Sequence, residues 1–199
     1  MFFFQLQVAQ ITKDDLQLLG VTAMFIASKF EEIYPPSVGE FAFITADTYS
    51  EERIRRTEAT LLRQMDYQLN KPSVILFLRR YSRLMETSKK VHNLAKYILE
   101  LSLLEPTNSC IPSSKKAGAA LLLAASLLNP KDPLHKVWCA TLVVYSTYDV
   151  RHLREAKRRL KRSLYDGHHN DKLKAIREKY ATSDFMEVST LKVLDKELI

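Results

Sequence analysis

The residues that could carry out catalysis are too scattered along this sequence to form a recognisable active site. None of its four glycines belongs to a glycine-rich loop of the kind that holds a nucleotide phosphate. Its two cysteines, Cys110 and Cys139, form neither a metal-binding pair nor a disulfide framework, which is typical of a reducing compartment. The adjacent His168 and His169 cannot face the same way on a helix. We therefore expect a protein that is not an enzyme and that uses no cofactor and no metal ion.

Cationic side chains are the second chemically distinctive feature. The formal net charge is +7, and the segment 151–163 alone contains seven Lys and Arg residues against one Glu. Apolar residues recur at helical spacing along it, which predicts a surface helix with a basic outer face. We favour a simply solvated face, and the alternative is a contact surface for nucleic acid or an acidic partner. The recurring apolar positions are Leu153, Ala156, Leu160 and Leu164.

The apolar segments indicate a buried core and not a membrane anchor. The most apolar stretch, 117–128, is shorter than the ~20 residues that a membrane-spanning helix needs. The opening segment 1–10 is apolar, but it lacks a basic flank and is interrupted by glutamines, so we do not interpret it as a signal peptide. We expect no membrane partner.

An internal duplication organises the chain. Segments beginning at Gly20 (GVTAMFIAS) and, 98 positions later, at Gly118 (GAALLLAAS) share a high density of small and apolar residues. Further along, Ser50 matches Asp149, and each is predicted to cap an amphipathic helix. Prolines separate five helical patterns in the second copy, and no segment alternates like a strand, so the predicted fold class is all-α. The predicted helices of this copy span about 73–85, 89–105, 113–128, 135–146 and 149–165.

The first copy is shorter than the second. Subtracting the offset places its first helix, and most of its second, before residue 1. We therefore predict tandem five-helix folds, of which the first lacks its first helix and most of its second. The small-residue helix should be central in each copy, and in the first copy it should expose apolar surface. The predicted domains are 1–71, 72–167 and a tail at 168–199 that packs on the folds.

Two charged residues distinguish the first copy from the second. Lys29 aligns near Leu127, which is apolar. Glu58 aligns with Lys157, which has the opposite charge. Packing residues should recur in both copies, whereas a binding site need exist in only one. On the residues alone we prefer the simpler explanation, in which a lysine at a helix end neutralises the helix dipole or pairs with nearby acids.

The segment around Lys29 resembles a known family. The run LQLLGVTAMFIASKFEEIYPPSVGEFAFITADTYS is similar to the cyclin box of A-type and B-type mitotic cyclins, in which SKFEE-[IM]-YPP is a specific signature. The resemblance continues through FLRRYSRL, HNLAKYILELSLLE and IREKYATSDFMEVSTL, and it covers the chain from about residue 11. The elements LAKY, EKYATS and VSTL favour a B-type member. The family implies tandem five-helix cyclin folds, in agreement with the duplication.

This resemblance implies a partner and a set of contact residues. In the family, the first fold forms a heterodimer with a cyclin-dependent kinase, shifts it towards its active conformation and so controls mitotic progression. The residues matching Lys29 and Glu58 make hydrogen bonds around the mobile C helix of the kinase, which packs on an apolar surface. The matching apolar positions here are Ile26, Phe30, Leu62, Tyr67 and Leu69. For the first three of these positions, ordinary core packing remains an alternative.

A second group of cationic residues lies in the second copy. His92 and Lys96 are four residues apart and share one helix face, and Arg79 precedes His92 by 13 residues. In some B-type cyclins, matching Arg, His and Lys residues form a pocket for phosphorylated segments of partner proteins, as suits cations that converge on a phosphate. A solvated basic face explains the three residues equally well. Protonation of the histidine would make any such binding depend on pH.

The sequence also departs from the family pattern. The MRxILxDW-type helix that opens the cyclin box is not found, and half of the groove that docks RxL-type substrate motifs is missing with it. Leu16 and Gln17 match the surviving half, so we expect such motifs to dock weakly or not at all. The N-terminal degradation signals of mitotic cyclins are not found either. A short isoform, a fragment or an incomplete gene model would each explain these differences.

Two further interpretations remain open. One is a nucleic-acid-binding double cyclin repeat that resembles transcription factor IIB and contacts DNA through 151–163. The SKFEEIYPP motif argues against it, because kinase-binding cyclins carry that motif, and we expect no nucleic-acid partner. The other is a truncated cyclin that binds weakly or activates no kinase. A mitotic regulator is expected in the nucleus or the cytoplasm, with the nucleus favoured.

Overall fold

Helices form all of the regular structure that the computed structural model describes, which covers residues 15–70, 72–133 and 137–194. The predicted all-α fold class is confirmed. Contacts between residues divide the chain into two units that meet in sequence between Lys71 and Pro72. No helix in the described part of the chain combines the length and the hydropathy that crossing a bilayer requires.

The N-terminal unit contains α1 (Asp15–Glu31), α2 (Val38–Ile44) and α3 (Glu51–Gln64). Side-chain caps fix the starts of α2 and α3. Ser37 accepts a hydrogen bond from the Glu40 amide, and the Glu40 carboxylate accepts one from the Ser37 amide. Ser50 accepts from the Arg53 amide at 3.3 Å, which confirms the predicted cap. The remainder of the second helix predicted for this copy falls in 1–14, outside the described residues.

Two small apolar clusters hold the helices of the N-terminal unit together. On α3, Ile54 and Leu61 lie one heptad apart and face different clusters along the same side of the helix. The first cluster contains Leu18, Phe25, Val38, Phe41, Ala42, Tyr49 and Ile54. The second contains Ile26, Leu61 and Met65. These clusters fix α1 against α3, which is the arrangement that positions the charged residues described below.

The C-terminal unit contains five α-helices at the predicted places. They are α4 (Val74–Leu84), α5 (Lys89–Leu101), α6 (Ser113–Leu128), α7 (Ala140–Ser146) and α8 (Val150–His168). The second helix was predicted to reach residue 105, but α5 ends at Leu101 and 3-10 segments follow at Ser102–Leu104 and Pro106–Cys110. Pro106, which has no amide hydrogen, prevents the α-helix from continuing through residue 106, but it does not account for an end as early as Leu101. The helix predicted at 135–146 is shorter in the structure, because Trp138 and Cys139 are not helical and α7 begins at Ala140; residues 134–136 lie outside the described ranges.

The basic segment 151–163 lies on α8, which is amphipathic as predicted. Asp149 caps this helix by accepting a hydrogen bond from the His152 amide at 2.8 Å, which confirms the second predicted cap. The helix extends three residues beyond its predicted end, to His168. The predicted apolar positions are all buried: Leu153, Ala156, Leu160 and Leu164.

α6 is the central helix of the C-terminal unit, as its small side chains predict. It packs against α4, α5 and α8, and residues 117–125 are all buried. Gly118 is required at one contact, because a Cβ atom there would lie 2.9 Å from Cη2 of Trp138. At the matching position of α1, a Cβ atom added to Gly20 would contact nothing within 4 Å. The predicted exposure of apolar surface on α1 is found at Leu16 and Met24, which are 54% and 65% exposed.

The tail after α8 packs on α5. It contains α9 (Ala175–Lys179) and 3-10 segments at Ser183–Phe185 and Val188–Thr190. Tyr180 is buried, and its hydroxyl donates to Glu100 Oε1 at 2.7 Å. Burial first, and then this hydrogen bond to a carboxylate, raises the pKa of Tyr180, so the phenol keeps its proton. Lys179 Nζ also donates to the Glu100 carboxylate, which therefore holds the tail at two points.

Candidate functional site

Lys29 and Glu58, the two charged residues that distinguish the first copy, contact each other. Lys29 lies in the last turn of α1, and its Nζ donates a hydrogen bond to Glu58 Oε1 on α3. The lysine side chain is 41% exposed and the glutamate side chain is 14% exposed. The structure therefore places a cation and an anion side by side at the surface, where the two helices meet.

An aromatic ring supports the lysine. Lys29 Nζ lies 4.2 Å from the centroid of the Phe25 ring, one helical turn earlier on α1. Phe25 is itself buried and packs against Phe41 with ring centroids 5.3 Å apart. Sequence reasoning missed this contact, although the i to i+4 spacing of an aromatic residue and a lysine is a readable signal. The ring restricts the ammonium group to the edge of the core.

The matching helices of the C-terminal unit are joined in a different way. Lys157 on α8, the counterpart of Glu58, donates from Nζ to Ser126 Oγ on α6 at 2.9 Å. Burial, followed by the charge of Lys161, holds the pKa of Lys157 below its ordinary value. In the second copy, the lysine at the position of Glu58 thus bonds to a hydroxyl at the position of Ser28, one residue before that of Lys29. Since packing alone is satisfied by either arrangement, the charge pattern of the first copy is not dictated by the fold.

The five apolar residues of the predicted contact surface divide into two groups. Ile26 is buried in the small cluster between α1 and α3, and Leu62 and Leu69 are half-buried against it. Phe30 and Tyr67 are 49% and 65% exposed. The left-handed backbone at Tyr67, with φ of 55°, follows the end of α3 and accompanies the exposure of its ring. Phe30 and Tyr67 are therefore the two predicted contact residues that are open to a partner.

Further exposed apolar residues continue from Phe30 into the loop that follows α1. Ile33 and Tyr34 are 87% and 90% exposed and precede the two prolines of the YPP motif. Single exposed apolar residues are ordinary, but three within five positions indicate an interaction surface. Ile33 and Tyr34 both belong to the SKFEEIYPP motif, from which no contact was predicted for them. We name the set of Lys29, Glu58, Phe30, Ile33, Tyr34 and Tyr67 the α1–α3 face.

The two residues of the predicted substrate-docking groove lie on another part of α1. Leu16 and Gln17 are both exposed, near the start of the helix. Gly20 and Met24 continue the exposed row from Leu16 at helical spacing. The weak docking of RxL motifs stays a prediction.

In the predicted phosphate pocket of the C-terminal unit, Lys96 and Arg79 both lie close enough to His92 for their charges to act on its ring. Burial first, then the charges of Lys96 and Arg79, lowers the pKa of His92. His92 Nδ1 lies 2.8 Å from Ser82 Oγ, so a hydrogen bond fixes the ring. Lys96 Nζ lies 5.0 Å from the centroid of the Phe185 ring in the tail. The tail therefore borders this cationic group, which sequence reasoning did not foresee.

The adjacent histidines point apart, as their positions on a helix predict. His168 is buried, and its Nδ1 lies 2.8 Å from the Tyr97 hydroxyl oxygen. His169 is exposed, and its Nδ1 lies 2.9 Å from the Tyr165 carbonyl oxygen. Burial raises the pKa of Tyr97 to about 12, so its hydroxyl stays protonated and can donate to His168. Across the described ranges, no three His, Cys, Asp or Glu side chains are grouped to hold a metal ion.

The fold defines a class of protein: a duplicated helical bundle, of which one copy carries exposed apolar residues beside an ion pair. Two family models match the chain, the N-terminal cyclin domain over residues 3–70 and the C-terminal cyclin domain over residues 72–194. The chain belongs to the cyclin family. The resemblance found in the SKFEEIYPP segment is thereby confirmed over both copies.

The matched relatives are mitotic cyclins of B type. The G2/mitotic-specific cyclin-B of Arbacia punctulata is 39% identical over 95% of this chain and 46% of its own length. The G2/mitotic-specific cyclin-B of Marthasterias glacialis is 39% identical over 98% of this chain and 49% of its own length. The Drosophila melanogaster cyclin-B is 38% identical over 94% of this chain and 38% of its own length. The chain thus spans about half the length of the relatives it matches, or less.

A solved structure agrees on the fold. A viral cyclin from herpesvirus saimiri superposes with a TM-score of 0.52, over 79% of this chain and 72% of the viral chain, at 18% sequence identity. At this identity the likeness concerns the helical architecture alone. It supports the tandem cyclin folds that the sequence predicts.

Proposed function

We propose that this chain binds a cyclin-dependent kinase through the α1–α3 face and holds the kinase in its active conformation, as a regulator of mitosis. The observation that carries the proposal is the Lys29–Glu58 pair. It lies beside exposed Phe30 in one copy of a duplicated fold, where packing does not require it. The B-type cyclin relatives agree with a mitotic role. Such a role requires access to the nucleus, which we propose as the main location.

The two kinds of residue in the α1–α3 face have different tasks in this proposal. The exposed rings of Phe30, Tyr34 and Tyr67 provide apolar area, which supplies most of the affinity when a helix of the kinase covers it. Lys29 and Glu58 offer one donor group and one acceptor group beside those rings, and directional hydrogen bonds fix the register of the partner. Activation follows by population shift, because only the active conformer of the kinase contacts both the exposed rings and the two charged groups.

Co-purification with a mitotic cyclin-dependent kinase, followed by a kinase assay, tests the proposal. Lys29→Ala and Glu58→Ala should each weaken binding by about tenfold, the effect of losing a hydrogen bond to a charged group. The exposed pair Glu52 and Arg56, also on α3, supplies matched controls. Glu52→Ala and Arg56→Ala should leave binding and activation unchanged. The assigned roles would be wrong if the control variants weakened binding as much as the site variants.

Failure of the unaltered chain to bind any mitotic cyclin-dependent kinase would favour another outcome. The chain would then be a cyclin that activates no kinase. Binding without activation would separate the two halves of the proposal, since affinity and population shift rely on different contacts.

A second proposed activity is the binding of phosphorylated segments at Arg79, His92 and Lys96. The convergence of these three residues supports it, since the charges of Arg79 and Lys96 both act on the His92 ring. A phosphate accepts several charge-assisted hydrogen bonds at once, which suits such a group. A phosphoserine peptide should bind the chain, and the unphosphorylated peptide should not. The double variant Arg79→Ala and Lys96→Ala should abolish the difference between the two peptides.

A further inference from the structure

The basic helix α8 forms one wall of a cleft that the proposed function does not use. The cleft has a volume of about 550 Å³ and lies between α8 and the 3-10 segment Pro106–Cys110. Its size falls within the range of about 300–1,000 Å³ that is usual for ligand pockets. Its charged lining consists of Glu105, Glu155, Arg158, Arg159, Arg162 and Asp166.

The floor of the cleft contains a polar group with an unused acceptor. Asn108 is 1% exposed, and its Nδ2 donates to the Ser102 carbonyl oxygen at 3.1 Å and to Ser163 Oγ at 2.8 Å. Its Oδ1 is buried and has no hydrogen-bond partner among the described residues. Buried polar atoms are nearly always hydrogen-bonded, so this oxygen is an exception beside the cleft.

The arginines of the cleft are engaged to different extents. Glu155 pairs with Arg158 at 2.8 Å and with Arg159 at 3.1 Å. Arg162 forms no ion pair with any residue that the structure describes, although it lines the same cleft. Its guanidinium group can therefore bind a carboxylate of a ligand with two parallel hydrogen bonds. Arg151 and Arg154, earlier on α8, are exposed outside the cleft and extend the positive field along the helix.

We propose that this cleft binds a short acidic peptide segment of a partner protein. A carboxylate of the segment binds Arg162, beside the buried Asn108. The positive field of α8 steers the acidic segment to the cleft. The three carboxylates of the lining balance its three arginines in number, so the attraction for a carboxylate in the cleft comes from Arg162 and not from a net positive charge of the lining. The proposal concerns the C-terminal unit and is independent of kinase binding by the α1–α3 face.

Fluorescence anisotropy on the full chain tests the proposal with a labelled peptide of alternating aspartate and serine. At about 0.15 M salt, Arg162→Glu should weaken binding by about tenfold or more, since it replaces an attractive contact by a repulsive one. Arg154→Glu is the matched control, because it changes the charge equally on the same helix but outside the cleft. It should weaken binding by less than about threefold. A peptide with lysine in place of aspartate should bind the Arg162→Glu variant better than the unaltered chain.

Three results would overturn the proposal. If Arg162→Glu and Arg154→Glu weakened peptide binding equally, the peptide would be held by the overall positive charge of α8 and not by the cleft. Tighter binding of a short duplex DNA, lost equally in both variants, would indicate a nucleic-acid surface. Absence of any peptide binding by the unaltered chain would contradict the site outright. Circular dichroism checks that both variants fold, which we expect because both arginines are exposed.

Discussion

Lys29 and Glu58 are buried to different extents, and this difference separates their effects on stability. The lysine side chain is 41% exposed, whereas the glutamate side chain is 14% exposed. An exposed ammonium group that loses its partner is hydrated by water. A largely buried carboxylate that loses its partner has no such replacement and keeps most of its desolvation cost. The two members of the pair are therefore not equivalent as sites of substitution.

We expect Lys29→Ala to destabilise the chain more than Glu58→Ala. Lys29→Ala should lower the free energy of unfolding by about 1–3 kcal/mol, because Glu58 is left without its donor. Glu58→Ala should lower it by less than about 1 kcal/mol. The double variant should recover part of the larger cost, since neither partner is then left unpaired. Urea unfolding measures all three, and Arg56→Ala, whose ion pair is fully at the surface, should show almost no change. Equal costs for the two single variants would contradict the difference in burial.

The proposed phosphate pocket gives a pH dependence of known sign. Burial, then the charges of Lys96 and Arg79, keeps the pKa of His92 below its ordinary value, so the free ring is neutral at neutral pH. A bound phosphate favours the protonated ring and raises the pKa of His92 in the complex. Affinity for a phosphoserine peptide should therefore increase as pH falls from the bound-state pKa towards the free-state pKa. Below about pH 6 the phosphate itself gains a proton, which limits the increase.

Titrations of peptide affinity on the unaltered chain and on His92→Gln measure this dependence. The glutamine variant keeps a polar side chain near Ser82 but cannot become charged. The affinity of the His92→Gln variant for the phosphoserine peptide should not change as the pH is lowered to about 6. An equal slope in both proteins would assign the pH dependence to another group.

At the scale of elements, helix ends and helix faces were predictable because their causes are local. Ser50 and Asp149 accept hydrogen bonds from amides three residues ahead, and those contacts lie within one turn of sequence. The end of α5 was not predictable, because the bend after Leu101 is held by Asn108 in the second 3-10 segment, which donates to the Ser102 carbonyl oxygen at the start of the first. The helix-forming residues that precede Pro106 gave no local signal to stop earlier.

The two glycines of the small-residue helices, α1 and α6, give a matched pair of substitutions. Gly118→Ala should destabilise the chain by about 1–3 kcal/mol, because the new Cβ would meet the Trp138 ring inside a filled core. Gly20→Ala should stabilise it by up to about 1 kcal/mol, because alanine is the better helix former and nothing lies within 4 Å. Thermal unfolding of both variants provides the measurement. A loss of stability in Gly20→Ala would mean that this face of α1 is covered.

The division between buried and exposed residues of the α1–α3 face depends on the whole N-terminal unit. Ile26 and Phe30 are one helical turn apart and both apolar, so sequence spacing treats them alike. In the fold, α3 covers Ile26 and leaves Phe30 half exposed. That difference depends on which positions of α1 the residues of α3 cover, which no pattern within α1 records. The i to i+4 spacing of Phe25 and Lys29 could be read from the sequence, whereas the burial of the Phe25 ring depends on the core.

Over the whole molecule, the two units differ in the size of their apolar cores. One continuous cluster joins all five helices of the C-terminal unit with its tail, whereas two small clusters hold the described helices of the N-terminal unit. Stability against local opening follows buried apolar contact. The unit that carries the α1–α3 face should therefore open more readily than the unit that carries α6.

Hydrogen exchange on the free chain and on its complex with a mitotic cyclin-dependent kinase tests both this ranking and the proposed function. In the free chain, amides of α6 should exchange most slowly and amides of α1 and α3 should exchange faster. A kinase concentration of about 100 times the Kd should slow α1 and α3 by about a hundredfold, because binding stabilises the closed unit. Amides of α6 serve as the internal control and should change little. Slow exchange in α1 and α3 of the free chain would contradict the ranking of the cores. If the kinase slowed amide exchange in α6 alone, the binding face would lie on the C-terminal unit and not on the α1–α3 face.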